Sequence, residues 1–200
     1  MRTTSEETQR NNQIIIEAAI KVFAEKGYEA ANMQDIANEA NITRGPLYYR
    51  YKTKADLFQA AVKVHANREL QEYKRIFSQD KHILDIIRED LYYCTRSIRL
   101  SQPFLTVSDA EELKNSYKIL KDARKKIYSI KEDSITKAID KGELVKTTNP
   151  SYIVNLLFVF VDGLYQFTQK TEITFPTNMT EEIIEDLMYV IENRYCKNTK

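Results

Sequence analysis

The chain has 200 residues, of which 42% are hydrophobic and 30% charged, with a formal net charge of +1 at pH 7. That balance fits one or two small globular domains and excludes a disordered or generally basic chain. Four glycines are too few for phosphate-cradling loops, and the two cysteines, Cys94 and Cys196, match no metal or redox spacing.

The remaining global signals narrow the class further. The N-terminus, MRTTSEETQRNNQ, lacks the apolar stretch of a secretion signal, and the longest apolar run, Leu156 to Val161, is too short to span a membrane. Free thiols agree with a reducing cytoplasm, which is the expected location. His65 and His82 are the only histidines and suggest no local metal pair. No G-x-S-x-G, P-loop or dinucleotide pattern is present, so neither catalysis nor a cofactor or metal is expected.

No sustained alternation predicts a strand, and the four prolines and three of the four glycines, Gly27, Gly45 and Gly142, fall at expected helix ends, so the chain reads as all-α with about nine helices. The first runs from Ser5 or Glu7 to Lys26, with Ile15, Ala18, Ala19, Val22 and Phe23 on one face and Gly27 suited to close it. The next covers Met33 to Ala40, burying Ile36, Ala37 and Ala40, and Asn41 suits the left-handed residue that ends it. Ile42 can plug the angle, and Thr43 can cap a third helix whose first turn holds Pro46 and whose end is Tyr49 or Arg50.

Two short helices around a tight turn are the sequence form of a helix-turn-helix, which lays its second helix in the DNA major groove. The local charge fits. Residues 1–70 hold ten Lys/Arg against nine Asp/Glu, yet Asn41 to Ala55 has no acid and carries Arg44, Arg50, Lys52 and Lys54 among Tyr48, Tyr49 and Tyr51. Arg and Lys neutralise phosphates, tyrosine hydroxyls bond phosphate oxygens, and Arg44 at the helix start can reach a guanine edge. Gly45 lets the backbone approach the DNA.

The run from Gly27 to Phe58, GYEAANMQDIANEANITRGPLYYRYKTKADLF, resembles the DNA-binding domain of TetR-family transcriptional regulators. Two positions depart from the pattern: Met33 stands where the family often has a small hydroxyl residue, and Arg50 where it often has His. The first has no hydroxyl to offer a phosphate; the second keeps positive charge. The resemblance implies that Thr43, Arg44, Gly45 and Pro46 front the recognition helix. It also implies that Tyr48, Tyr49 and Lys54 contact phosphates, joined by Arg50, and that Gln34 points to the flanking backbone. Leu47 and Tyr51 are read as core.

Downstream, a fourth helix from Lys54 to about Phe77 joins residues 1–55, the DNA-binding domain, to residues 56–200, a helical ligand-binding and dimerisation domain. A fifth covers about Lys81 to Leu100 and is broken by Ser101-Gln102-Pro103. A short one follows from Phe104 to Leu113, then a long one from Tyr117 to Lys141 closed by Gly142. The last two run from Pro150 to about Lys170 and from Thr180 to Tyr195. The eighth carries one narrow polar stripe, Asn155, Asp162, Gln166 and Gln169, and is otherwise so apolar that it needs cover on more than one side. A homodimer through Leu156, Phe160, Leu164, Ile184, Leu187, Met188 and Ile191 is therefore expected, giving the twofold symmetry that paired half-sites require.

The resemblance implies a small-molecule effector pocket among the C-terminal helices, and Tyr92, Tyr93, Phe104, Tyr117, Tyr128 and Phe158 are its candidates, against plain core as the alternative. Such rings would suit a flat apolar or cationic compound. Glu89, Asp90 and Asp109 are read as solvated acids, with balancing a cation as the other reading. The expected function is a repressor released from a double-stranded DNA operator by a small molecule, with no membrane partner. The alternative is a helix-turn-helix protein controlled by a protein partner and no ligand.

Overall fold

The computed structural model describes residues 4–105, 111–171 and 177–196. Among them are eight α-helices, one 3-10 turn and no strand: α1 Thr4–Ala30, α2 Met33–Glu39, α3 Arg44–Arg50, α4 Lys54–Phe77, α5 Ile83–Leu105, the turn Glu111–Leu113, α6 Lys114–Lys141, α7 Pro150–Thr171 and α8 Thr177–Tyr195.

The helix ends are set by local chemistry. Gly27 takes φ 73°, which stops the regular part of α1 where a left-handed residue was expected, and a last turn carries on to Ala30. Asn32 caps α2: its side chain accepts from the Asp35 N–H at 2.9 Å, while Asp35 accepts from the Asn32 N–H at 3.2 Å. Asn41, at φ 53°, then closes α2. The N–H groups of Asn41 and Ile42 donate to Asn38 O and Ala37 O, at 3.1 and 3.0 Å, in the paired pattern of a left-handed cap. Thr53 and Asp56 form a second reciprocal cap at the start of α4.

One expected break is absent. Helix α5 continues through Ser101-Gln102-Pro103 to Leu105, so the separate helix predicted from Phe104 does not start there. A proline removes its own N–H bond and obstructs the turn before it, but here only two helical residues follow it, so the helix loses little by carrying it in its last turn.

The chain packs as two compact units, Met1–Glu69 with Arg99–Arg124 and Leu70–Ile98 with Lys125–Lys200. In the first, Ile15, Ala19, Val22 and Phe23 meet Ile36, Leu47, Leu57, Phe58, Ala61 and Val62. Phe58 stands edge-on to both Phe23 and Tyr28, with ring centroids 4.9 Å apart in each case. Leu113, from the 3-10 turn, is 1% exposed in this same core, and the Tyr28 hydroxyl donates to Glu112 at 2.8 Å beside it. In the second unit, Ile76, Ile83, Ile87 and Leu91 pack with Ile135, Leu144, Ile153, Leu157 and Ile184. Glu143 caps α5 there, accepting from the Ile83 N–H at 2.7 Å.

Candidate functional site

Helix α3 has a single buried residue, Leu47, which is fully enclosed and anchors it to the first core. Everything else on it faces outward. Thr43, Arg44, Gly45, Pro46, Tyr48, Tyr49 and Arg50 are all exposed, with Tyr49 at 85%. A tyrosine that exposed leaves most of its ring and its hydroxyl to solvent or a partner. Lys52 lies over the Tyr49 ring, 5.9 Å from its centroid, so charge and aromatic surface are presented together.

Thr43 occupies the expected N-cap position, but its hydroxyl makes no capping bond. A capping hydroxyl bonds the N–H two or three residues on; the third position is Pro46, which has none, and the Gly45 N–H two residues on is not taken. The hydroxyl is thus left to groups outside the helix. Gly45 is open in a similar sense: a Cβ built there meets nothing within 4 Å, and its φ is not in the left-handed region. Nothing inside the fold requires glycine at this point, although glycine weakens a helix by ~1 kcal/mol relative to alanine.

The charged side chains are held from behind. Arg44 Nε donates to Gln34 Oε1, and Gln34 in turn donates to Asn38 Oδ1 at 2.6 Å, so α2 steadies the guanidinium at the front of α3. Arg50 reaches back to the carbonyl of Thr8 at 3.4 Å, and the Tyr51 hydroxyl donates to Asn12 at 2.8 Å. Tyr51 is half-buried against the core, as its reading as a packing residue requires. Met33 is 7% exposed and faces inward, leaving the Asn32–Asp35 pair at the surface of the α2 start.

Lys54 is placed differently from the expectation. Its ammonium donates to the carbonyls of Tyr28, Ala31 and Glu29 at 2.8, 3.1 and 3.3 Å and sits 4.3 Å from the centre of the Tyr28 ring. An ammonium has three protons, and all three have acceptors in the fold. Lys54 closes the C-terminal end of α1 instead of projecting toward a phosphate.

The second unit separates the six pocket candidates. Tyr93, Tyr128 and Phe158 come together: Tyr128 stacks on Phe158 at 6.1 Å and 5°, and Tyr93 meets Tyr73 edge-on at 5.6 Å. Tyr92 stands at the rim, its hydroxyl donating to Glu185 at 3.3 Å. Tyr117 is 52% exposed and belongs to the first unit, so it lines no pocket in the second. The side chain of Phe104 lies outside the described residues, as does Asp109.

At the centre of those rings is a group that sequence reasoning missed. Lys131 Nζ lies 2.7 Å from Asp90 Oδ2, with the two side chains 2% and 0% exposed. The ammonium also lies 4.9, 5.8 and 4.8 Å from the ring centroids of Tyr73, Phe77 and Phe158. Cys94 completes the cluster, 3.0 Å from the Tyr73 hydroxyl and 3.5 Å from Asp90 Oδ1; burial and the Asp90 charge push its thiol up to about 12. Asp90 is therefore not a solvated acid. A signal was available: Lys131 continues the inward Ile127–Ile135 spacing on α6, and Asp90 stands between Ile87 and Cys94 on the buried side of α5.

The interface candidates divide as well. Ile184, Met188 and Ile191 are 0–1% exposed and belong to the subunit's own core, because helical spacing alone does not say which of two apolar faces turns inward. Leu156, Phe160, Leu164 and Leu187 are half-buried. The large apolar residues of α7 and α8 left outside are Tyr152, Val159, Phe167, Met179, Tyr189 and Val190, between 41% and 69% exposed, with Asn155, Asp162 and Gln166 exposed beside them.

Among the described residues, α2, the turn at Asn41 and the exposed, acid-free α3 have the form of a helix-turn-helix. Residues 15–61 match the family described as bacterial regulatory proteins, tetR family. It is 25% identical over 188 residues to the biofilm operon negative transcriptional regulator IcaR of Staphylococcus epidermidis, covering 92% of this chain and 97% of that one. It is also 32% identical over 99 residues to the transcriptional regulator AcrR of Shigella flexneri, 48% of this chain but only 45% of that protein's length. The fold is shared with the regulator FadR from Bacillus subtilis solved with stearoyl-CoA, at a TM-score of 0.67 and 17% identity over 88% of this chain and 97% of that one.

Proposed function

We propose that the protein is a dimeric repressor that binds double-stranded operator DNA through α3 and leaves it when a small effector enters the second unit. The observation that carries this is the exposed face of α3: an arginine steadied from α2, a glycine with no role in the fold, an uncapped threonine hydroxyl and two outward tyrosines. Arg44 reads a base edge; Thr43, Tyr48, Tyr49 and Arg50 hold phosphates; Gly45 and Pro46 let the helix sit close; and Gln34 orients Arg44. Lys54 serves the frame and not the contact.

The exposed apolar strip of α7 and α8 supports a homodimer in this reading. Tyr152, Val159, Phe167 and Val190 form the part that the chain's own core leaves uncovered, with Leu156 and Leu187 at its edge. Two copies joined there present two recognition helices, and an effector that changes their spacing lowers DNA affinity while DNA lowers effector affinity by the same factor. The full-length match to a negative regulator supports repression, and the ligand in the FadR neighbour supports a small effector. A cytoplasmic location follows from the DNA partner; no described helix is long and apolar enough to cross a membrane.

The test is fluorescence anisotropy on duplex DNA from upstream of the protein's own gene, over a salt series. Binding should fall steeply with salt, and Arg44→Ala should weaken it by about 1–3 kcal/mol, roughly 5–150-fold. Binding that is indifferent to salt and to Arg44 would remove the DNA-binding reading.

A further inference from the structure

We infer that Asp90 and the rings of Tyr73, Phe77 and Phe158 form a binding site for an organic cation, occupied in the free protein by the chain's own Lys131. The inference rests on the effector reading above and names the chemistry of the ligand.

The argument starts from what surrounds the ammonium. A carboxylate with no exposed surface lies 2.7 Å from it, and three aromatic faces lie within 4.8–5.8 Å. One acid and three rings around a positive centre are the recognition chemistry of an alkylammonium, since ring faces carry negative potential and the acid balances the charge. The parts come from four helices, Tyr73 and Phe77 from α4, Asp90 from α5, Lys131 from α6 and Phe158 from α7, so the cage is a property of the second unit's centre and not of one helix.

Stability is a poor reason for this arrangement. Two charges taken out of water lose hydration that their attraction repays only in part, and an apolar pair of similar volume often does as well or better. Lysine is also suited to being a removable occupant. Its charge sits at the end of a flexible four-carbon stem, so the ammonium can leave the cage while the stem remains packed. An anionic ligand is the less favoured occupant: it would have to replace Asp90 at Lys131 and would meet three ring faces of the same sign of potential. A cation that enters replaces Lys131 at Asp90 and the rings, and the displaced ammonium must move toward solvent on α6. Ligand charge is thereby converted into movement of a side chain on a helix that contributes to both compact units.

The experiment is calorimetric titration of the full-length protein with phenyltrimethylammonium and with tert-butylbenzene, which has the same shape without the charge. The wild type should prefer the cation by roughly tenfold or more, as a desolvated cation–ring contact plus a carboxylate predicts. Lys131→Met should bind the cation more tightly still, because no resident charge has to leave. That variant also strands Asp90 without its partner, so its folding is checked by circular dichroism. The double variant Asp90→Asn with Lys131→Met carries no buried charge and guards against that failure. It keeps the three rings but lacks the acid, so its preference for the cation should fall well below that of the wild type.

A wild type with no preference for the charged compound, or a double variant that keeps the wild-type preference in full, overturns the site. Anisotropy on operator DNA separates the two readings. Cation binding that leaves DNA affinity unchanged supports the site and removes only the effector role; intact, salt-dependent DNA binding without any cation preference removes the site and leaves the DNA-binding reading in place.

Discussion

The two compact units dispose of charge in opposite ways. In the first, the centre is hydrocarbon and rings, Phe23, Tyr28 and Phe58 against aliphatic side chains, while the arginines of α3 stand outside. In the second, a lysine and an aspartate lie at the centre, and tyrosine, valine and phenylalanine side chains stand outside on α7 and α8. A chain that only had to fold would do neither, since exposed rings and buried charge both cost free energy. In the reading proposed above, the inversion marks where each unit would serve something other than folding: the first on its surface, for a polyanion; the second in its interior and along its last two helices, for a small molecule and a second subunit.

The sharpest way to probe the comparison is to damage the first core from outside the motif. Leu113 is distant in sequence from the helix-turn-helix but fully buried with it, so Leu113→Ala should cost ~2–5 kcal/mol, seen as a lowered urea midpoint. A loss near zero would mean that the 3-10 turn does not belong to that core.

The first unit does bury a histidine. His65 is 9% exposed, and burial, helped by the Arg68 charge, lowers its pKa from 6.5 to about 4. The folded state keeps it neutral where the unfolded chain would bind a proton, so its contribution is whole above pH 6.5 and is lost as pH falls toward 4. Up to ~3 kcal/mol should disappear across that window. Denaturant midpoints measured from pH 7 to pH 4 should show the slope, and His65→Gln should flatten it.

The smallest effect separates folding from function most cleanly. Since a Cβ at Gly45 meets open space in a helix, Gly45→Ala should raise stability by about 0.5–1 kcal/mol. The same change should weaken DNA binding, because the methyl group stands on the exposed face of α3. Gains in both would show that the backbone does not approach DNA at this point.

Much of the first unit was legible because its signals are local. Asn41 in the left-handed region, Gly27 ending the regular part of α1, Leu47 inward and Tyr49 outward all follow from residue type and helical spacing. Thr43 shows the limit of such rules, since a good capping residue stands at the N-cap and makes no capping bond, with one of its two usual partners removed by Pro46. Lys54 shows another: a basic side chain next to a reading helix was taken up by the carbonyl end of α1, and nothing in its own neighbourhood of sequence says so.

Sequence by itself determined the helical class, the turn of the helix-turn-helix, the charge around it and the apolar excess of α7. Each of these is a matter of residues within three or four positions of one another, where backbone geometry dictates the outcome. Only the tertiary structure decided that Leu113 completes the first core, that Ile184, Met188 and Ile191 face inward while Tyr152, Val159 and Val190 face out, and that Lys131 meets Asp90. Those pairings join residues up to tens of positions apart. A helical stripe records that a side chain is buried, and the packing of the other helices alone chooses what it is buried against.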